Sequence, residues 1–183
     1  MQSLRGWMVL SNVACCIATA SAAMAPPLSL ENLIDRSPVI LEGHVLGSWM
    51  AWDSGHRYIW THYEIEVTDN IRGAGSTLTV SEPGGSLDGV NQGFSGSVGY
   101  ETGEHVMLFL FRTPIGYWRT TGGAQGKFTI STDGRVHGVL GNSDFGTRVR
   151  IARDIDSQYP SNIPAFKSVV RSIAHSRAAN EVR

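Results

Sequence analysis

The chain has 183 residues, in which 15 basic side chains nearly balance 16 acidic ones, so the formal charge is −1. Without a basic excess, counterion release contributes little to nucleic-acid binding, and we expect no nucleic-acid partner. The two cysteines, Cys15 and Cys16, both lie near the N-terminus. The rest of the chain therefore has no thiol for a disulfide, a nucleophile or a metal ligand.

The first 25 residues have the pattern of a secretory signal peptide. Arg5 precedes a short apolar region at residues 7–18, and small residues at alternate positions follow it. This region is shorter than the roughly 20 apolar residues needed to span a membrane. We therefore expect cleavage between Ala20 and Ala25, no membrane span after cleavage, and a secreted or periplasmic protein with a single domain at residues 26–183.

A short helix and a first strand are predicted at the start of this domain. Ser29 suits a helix N-cap, because apolar residues follow it at helical spacing, and Pro38 ends the helix. Residues 39–45 alternate between two faces, which is typical of a half-buried strand. The sequence then predicts a loop that contains Trp49 and Trp52.

Alternation returns in the predicted second strand, residues 58–67. Its apolar face includes Ile59, whereas Tyr58, Trp60 and His62 share the other face with two glutamates, and we expect that face to point to water. A third strand is predicted at residues 77–82. The Gly/Ser-rich stretch that follows, residues 84–103, predicts a long loop.

The second half of the chain predicts further strands and a final helix. Residues 105–111 form an apolar run that favours a central strand covered on both faces. The dipeptide Asp133-Gly134 indicates a hairpin, because it readily adopts positive φ. We also predict a strand at 117–121, an edge strand at 148–152, and a helix from Pro164 that covers an end of the barrel.

Together these elements predict a mainly β fold with flanking helices. Several strands joined by short turns favour a small antiparallel barrel of the oligonucleotide/oligosaccharide-binding (OB) type, with one short N-terminal helix and one C-terminal helix.

Two sets of motifs over about residues 28–130 carry a resemblance. The first is a helix followed by Ser37-Pro38-Val39-Ile40-Leu41-Glu42-Gly43-His44-Val45, Thr61-x-Tyr63-x-Ile65-x-Val67 and Ile71-Arg72-Gly73. This order resembles the netrin-like OB barrel of tissue inhibitors of metalloproteinases. The second is Gly103-Glu104-x-Val106-x-Leu108-Phe109-Leu110 followed by Gln125-Gly126-Lys127-Phe128. It is similar to a group of uncharacterised exported bacterial proteins, some of which precede a matrixin-type metalloprotease domain.

The resemblance implies a shared fold but not a shared mechanism. The inhibitors chelate zinc through an N-terminal cysteine and are held by disulfides, whereas the predicted mature chain contains no cysteine. Function therefore has to be argued from the site.

Aromatic side chains form the predicted binding patch. Barrels of this class commonly bind along the faces of strands two and three and through adjoining loops. Five residues fall on or beside that surface: Trp49, Trp52, Tyr58, Trp60 and His62. The competing interpretation is that these rings pack under the Gly/Ser loop or the helices. We predict no catalytic residues, no metal site and no cofactor.

Three functions are compatible with the sequence. The leading hypothesis is an exported, non-catalytic binding module that recognises a protein or glycan. The first alternative is a secreted hydrolase with its site in residues 84–105, where Ser95, Glu104 and His105 lie. The second is an assembly component that docks through its basic C-terminal helix, since residues 148–183 carry a formal charge of +4.

Overall fold

The structure is a computed structural model that describes residues 27–138 and 159–181. The predicted signal peptide and the predicted strand at 148–152 lie outside these residues. None of the helices in the two described ranges is long and apolar enough to cross a membrane. In chain order the elements are α1 (Leu30–Asp35), β1 (Val39–Trp52), β2 (Ile59–Arg72), β3 (Thr77–Pro83), β4 (Gly85–Leu87), β5 (Val90–Gln92), β6 (His105–Arg112), β7 (Trp118–Thr120), a 3₁₀ turn (Gly123–Gly126), β8 (Lys127–Ile130), β9 (Val136–Gly138) and α2 (Ile163–Glu181).

Five strands close into a barrel in the order β1-β2-β3-β7-β6, with β6 returning to pair with β1. The pairings are antiparallel except for β3 and β7, which run parallel and meet at Val80 and Trp118. β8 and β9 extend the sheet beyond β6. The predicted fold class is confirmed: the protein is mainly β, with an OB-like barrel, a short helix near the N-terminus and a C-terminal helix.

The position of β6 in the barrel explains why its sequence is almost continuously apolar. Val106, Leu108 and Leu110 point into the barrel, where they pack with residues from β1, β2 and β3. Met107 and Phe109 point out of the barrel and pack with the helices. Both faces are therefore buried, as the apolar run predicted.

The two helices cover the outer side of the barrel wall. The Ser29 side chain accepts a hydrogen bond from the Asn32 N–H at 3.2 Å and so caps α1 as predicted. In α2, Phe166 is fully buried and lies 5.2 Å from the ring of Phe128. The prediction that this helix covers an end of the barrel is wrong, because its contacts are with residues that point outward from the wall, such as Ile40.

Strand β1 is longer than predicted because it contains a bulge. The register with β2 shifts between Val45 and Gly47, so that the alternation changes phase there. Trp49 and Trp52, which were predicted in a loop, consequently belong to a strand that continues to Trp52. A simple period-2 pattern ends at such a bulge, although the strand does not.

The prediction of a long loop at residues 84–103 is also wrong in part. β4 and β5 form a hairpin there, joined by Asp88 at φ 52° and Gly89 at φ 77°. Both angles suit a two-residue hairpin turn, for which Asp-Gly is a favoured sequence. Farther along, Val98 and Tyr100 are buried in the barrel core.

Candidate functional site

The predicted patch divides into two groups in the structure. Trp49, Trp60 and His62 lie together on the outer face of the β1–β2 pair, where they meet Tyr117. Trp52 and Tyr58 lie elsewhere, near the turn that joins β1 to β2. We call the first group, Trp49, Trp60, His62 and Tyr117, the aromatic face.

Close ring contacts hold the aromatic face together. The Trp49 ring stacks on His62 with centroids 5.3 Å apart. The Tyr117 ring meets His62 edge-on at 5.4 Å and Trp60 at 4.9 Å. Ring pairs in these arrangements contribute about 0.5–1.5 kcal/mol each beyond the area they bury. Tyr117 therefore connects two side chains of β2 that do not stack on each other.

Strand register explains how the face is built. Trp49 lies directly opposite His62, and Ala51 lies opposite Trp60. Directly opposite residues on an antiparallel pair share a face. The bulge after Val45 is required for this arrangement, since without the change of phase Trp49 would point to the other side of the sheet.

A tight turn between β6 and β7 positions Tyr117. Its backbone N–H donates to the Thr113 hydroxyl at 3.0 Å, and its carbonyl accepts from the Thr113 N–H at 2.8 Å. Gly116 adopts φ 91°, a conformation that favours glycine. The turn thus holds the tyrosine ring against β2.

His62 is buried, although the sequence predicted that it faces water. It is only 8% exposed, because Trp49 covers one side of its ring and Tyr117 lies against it. Its Nδ1 forms a hydrogen bond with the Ser81 hydroxyl at 2.7 Å. Burial lowers the pKa of His62 below its ordinary value. The imidazole is therefore neutral at pH 7, with one nitrogen engaged by Ser81.

A groove of about 340 Å³ runs beside the aromatic face over the outer surfaces of β2 and β3. Hydroxyl groups and rings share its lining. The residues that line it are His62, Thr77, Leu78, Thr79, Ser81, Gly116, Tyr117 and Trp118. Exposed Glu64 and Glu66 lie opposite Thr79 and Thr77 and so flank the groove. The lining is neutral. Glu64 and Glu66 place negative charge beside it, and Arg112, whose guanidinium lies 5.7 Å from the Trp118 ring and bonds to the Gly116 carbonyl at 3.3 Å, places positive charge beside it.

A salt bridge between Glu82 and Arg119 lies next to Trp60 of the aromatic face. Glu82 is 2% exposed and accepts hydrogen bonds from Arg119 and from the Thr120 N–H and hydroxyl. The Arg119 guanidinium lies 6.0 Å from the centre of the Trp60 ring. Trp60 Nε1 is a buried donor that has no hydrogen-bond partner in the described part of the chain.

The other two predicted residues make separate local contacts. Trp52 stacks on His56 at 4.7 Å, and its Nε1 donates to Asp88 at 2.9 Å. Tyr58 meets the edge of Phe94 at 5.8 Å. These contacts fix the turn between β1 and β2 to the β4–β5 hairpin. Trp52 and Tyr58 are therefore not part of the aromatic face.

The residues of the hydrolase alternative have other partners. Glu104 binds Lys127 Nζ at 2.8 Å and the Thr129 hydroxyl at 2.7 Å. His105 Nε2 lies 2.8 Å from a Glu42 oxygen. Within the described ranges, no hydrogen bond joins Ser95 to Glu104 or His105. These three side chains therefore do not form a hydrogen-bonded set in which a base activates a nucleophile and a third group orients the base.

The basic side chains of α2 bind acidic groups of the barrel. Lys167 Nζ contacts Glu42 at 2.5 Å and Asp69 at 2.8 Å, and Arg171 contacts Asp69 at 2.6 Å. Burial alone would raise the pKa of Asp69, but these two cations lower it. Arg177 lies 3.5 Å from Asp35 of α1. These three cations attach the helix to its own chain.

The comparisons with known proteins supply no family. The chain has no significant match among protein-family profiles, curated proteins or solved structures. The resemblance to the netrin-like barrel of tissue inhibitors of metalloproteinases therefore stays a prediction, and function rests on the site itself.

Sequence reasoning missed the residues that complete the site. Tyr117 was placed only at the start of a strand, and Ser81 and Thr79 only inside one. Contact between Tyr117 and His62 arises from the parallel meeting of β3 and β7, which leaves no local pattern in the sequence.

Proposed function

We propose that the protein is an exported, non-catalytic binding module that recognises a neutral glycan through the groove beside the aromatic face. The observation that carries this proposal is the combination of the half-exposed Trp49 ring with a hydroxyl-lined groove. Trp49 is 49% exposed, and the threonine and serine side chains of β3 line the adjacent groove.

The chemistry of this surface suits a sugar. A sugar ring presents C–H faces that stack on aromatic rings and hydroxyl groups that bond to polar side chains at the edge. The faces of strands two and three are also where OB barrels bind oligosaccharides.

A glycan array followed by calorimetry tests the proposal. Trp49→Ala and Tyr117→Ala should each weaken glycan binding by at least ten-fold, which is about 1.4 kcal/mol. Tyr58→Ala is the matched control, because Tyr58 is 46% exposed but packs on Phe94 away from the groove. Unchanged affinity in Trp49→Ala and Tyr117→Ala would contradict the proposal.

A protein partner is the alternative outcome. In that case the array would show no binding, and a protein captured by the wild type would be lost in Trp49→Ala but kept in Tyr58→Ala.

The proposed export has its own test. Support for it comes from the pattern of the first 25 residues, which are charged at Arg5, apolar at residues 7–18 and small near Ala20 and Ala25. Protein recovered from the periplasm or the medium should have an intact mass that corresponds to cleavage between Ala20 and Ala25. Recovery of the uncleaved chain from the cytoplasm would contradict export.

A further inference from the structure

On the side away from β2, residues 46–52 of β1 have no paired strand among the described residues, although the side chains of Met50 and Trp52 contact the β4–β5 hairpin through the Ser86 N–H and Asp88. β1 pairs with β6 from Val39 to His44, and the last bonds on that side join Val45 to Gly103 and Glu104. Beyond Val45, β1 is paired with β2 alone in the part of the chain that the structure describes. Within residues 27–138 and 159–181, the far side of residues 46–52 is therefore an open sheet edge.

The alternation of the ladder determines which backbone groups this edge offers. The Asp53 N–H donates to the Tyr58 carbonyl at 2.8 Å, and so Asp53 turns its backbone groups toward β2. In an antiparallel pair, the backbone groups of successive residues point alternately to the two neighbouring strands. Ser48, Met50 and Trp52 consequently direct their N–H and C=O groups away from β2, toward the open edge.

The bulge after Val45 stands at the start of this edge, and the segment beyond it has no blocking side chain. Open edges in natural proteins are generally blocked by lysine, proline or inward-pointing charges. Between Leu46 and Trp52 there is no charged residue and no proline. Large apolar side chains are also exposed there: Leu46 is 48% exposed, Trp49 is 49% exposed and Met50 is 40% exposed. Such a segment is typical of a strand that pairs with another chain.

We propose that the edge at residues 46–52 pairs antiparallel with the same edge of a second copy, which makes the protein a symmetric dimer with a continuous sheet. A two-fold axis through Met50 brings Met50 opposite the partner's Met50 and Ser48 opposite the partner's Trp52. Each outward-facing backbone group then meets a donor or an acceptor.

Side-chain size and charge make the edge complementary to itself. In this register Trp49 lies opposite the partner's Ala51, so that a large ring faces a small side chain on both sides of the axis. No like charges oppose each other along residues 46–52, and the formal charge of the whole chain is only −1. A second copy therefore meets no electrostatic barrier at this edge.

The dimer would also extend the aromatic face. Ala51 of β1 lies directly opposite Trp60 of β2. The partner's Trp49 would therefore follow Trp60 along the same outer surface, and two grooves would lie on one continuous sheet. This consequence is separate from the test below, which needs no glycan.

Analytical ultracentrifugation over a wide concentration range tests the dimer. The wild type should show a reversible dimer of about twice the monomer mass. Met50→Lys places two ammonium groups opposite each other at the axis and should raise the dimer dissociation constant at least ten-fold, about 1.4 kcal/mol. Ile115→Lys is the matched control, since Ile115 is 64% exposed in the β6–β7 turn, and its dimer should be unchanged.

Hydrogen exchange identifies the surface involved. The amides of Ser48, Met50 and Trp52 should be protected in the wild type at high concentration and exchange faster on dilution or in Met50→Lys. A monomer at every concentration would overturn the proposal, and so would a dimer that survives Met50→Lys with these amides unprotected. Met50→Lys leaves Trp49, His62 and Tyr117 unchanged. The test of the dimer is therefore separate from the test of glycan binding, which uses Trp49→Ala and Tyr117→Ala.

Discussion

The barrel wall has two outer faces, and aromatic rings are used differently on each. Under the helices, the centroid of the Phe128 ring lies 5.5 Å from that of Phe109 and 5.2 Å from that of Phe166, and all three rings are fully buried. On the aromatic face, Trp49 has half of its surface in water and stacks on a buried His62. The first arrangement removes apolar area from water, whereas the second leaves ring surface available to a ligand.

Charged groups show the same contrast. Beside the helices, Glu42 and Asp69 bind Lys167 and Arg171, so each charge has a partner within the chain. Beside the groove, Glu64 and Glu66 are exposed. One strand serves both faces, because β1 contributes Glu42 before its bulge and Trp49 after it. The comparison indicates that the helix face provides stability, and the exposed ring surface of the other face is the basis for the proposal that it binds a ligand.

The largest expected effect is on the helix face. Phe166→Ala removes a fully buried ring from its contact with Phe128 and should lower the free energy of unfolding by about 4 kcal/mol. Trp49→Ala removes a half-exposed ring and should lower it by about 1 kcal/mol or less. Urea unfolding of both variants measures the difference. Similar losses in the two variants would remove the distinction between the faces.

A second prediction concerns the closure of the barrel below the aromatic face. The backbones of β3 and β7 meet at Val80 and Trp118, and Glu82 adds bonds to Arg119 and to Thr120. Glu82→Ala leaves a partly buried guanidinium and a buried N–H without their acceptor, and should cost about 3 kcal/mol in urea unfolding.

Glu82→Gln is the control for this prediction. The amide keeps an acceptor for Thr120 but loses the negative charge that faces Arg119. It should therefore fall between the wild type and Glu82→Ala. A wild-type free energy of unfolding in Glu82→Ala would show that the backbone pairing alone closes the barrel.

Much of the fold was predictable because its signals are local. The N-cap at Ser29, the apolar run of β6 and the turn at Asp133-Gly134 each depend on neighbouring residues, and each appears where the sequence placed it. The hairpin at Asp88-Gly89 has the same Asp-Gly dipeptide as the turn at Asp133-Gly134. This hairpin was not predicted because the Gly/Ser-rich composition of residues 84–103 favoured a loop.

The site was predictable only in part, because it depends on register and closure. Trp60 and His62 were assigned to the outer face by alternation along one strand. Trp49 reached that face only through the bulge after Val45, and Tyr117 only through the meeting of β3 and β7. Neither the bulge nor the meeting of these two strands produces a periodic pattern in the sequence. The burial of His62 was missed for the same reason, since both covering rings come from other elements.

The smallest expected effect is the pH dependence of the aromatic face. Burial lowers the pKa of His62 in the folded protein below the unfolded value of about 6.5. Above pH 6.5 both states are neutral at this residue, so it contributes no pH dependence. As the pH falls below 6.5, the unfolded chain takes up a proton that the folded protein resists, and the folded state loses stability.

His62→Gln has no such proton. The wild type should therefore lose stability relative to His62→Gln as urea unfolding is moved from pH 8 to pH 5, and an NMR titration should give a His62 midpoint below 6.5. A constant difference between the two proteins across this range would mean that Trp49 and Tyr117 do not shield the ring from water in solution.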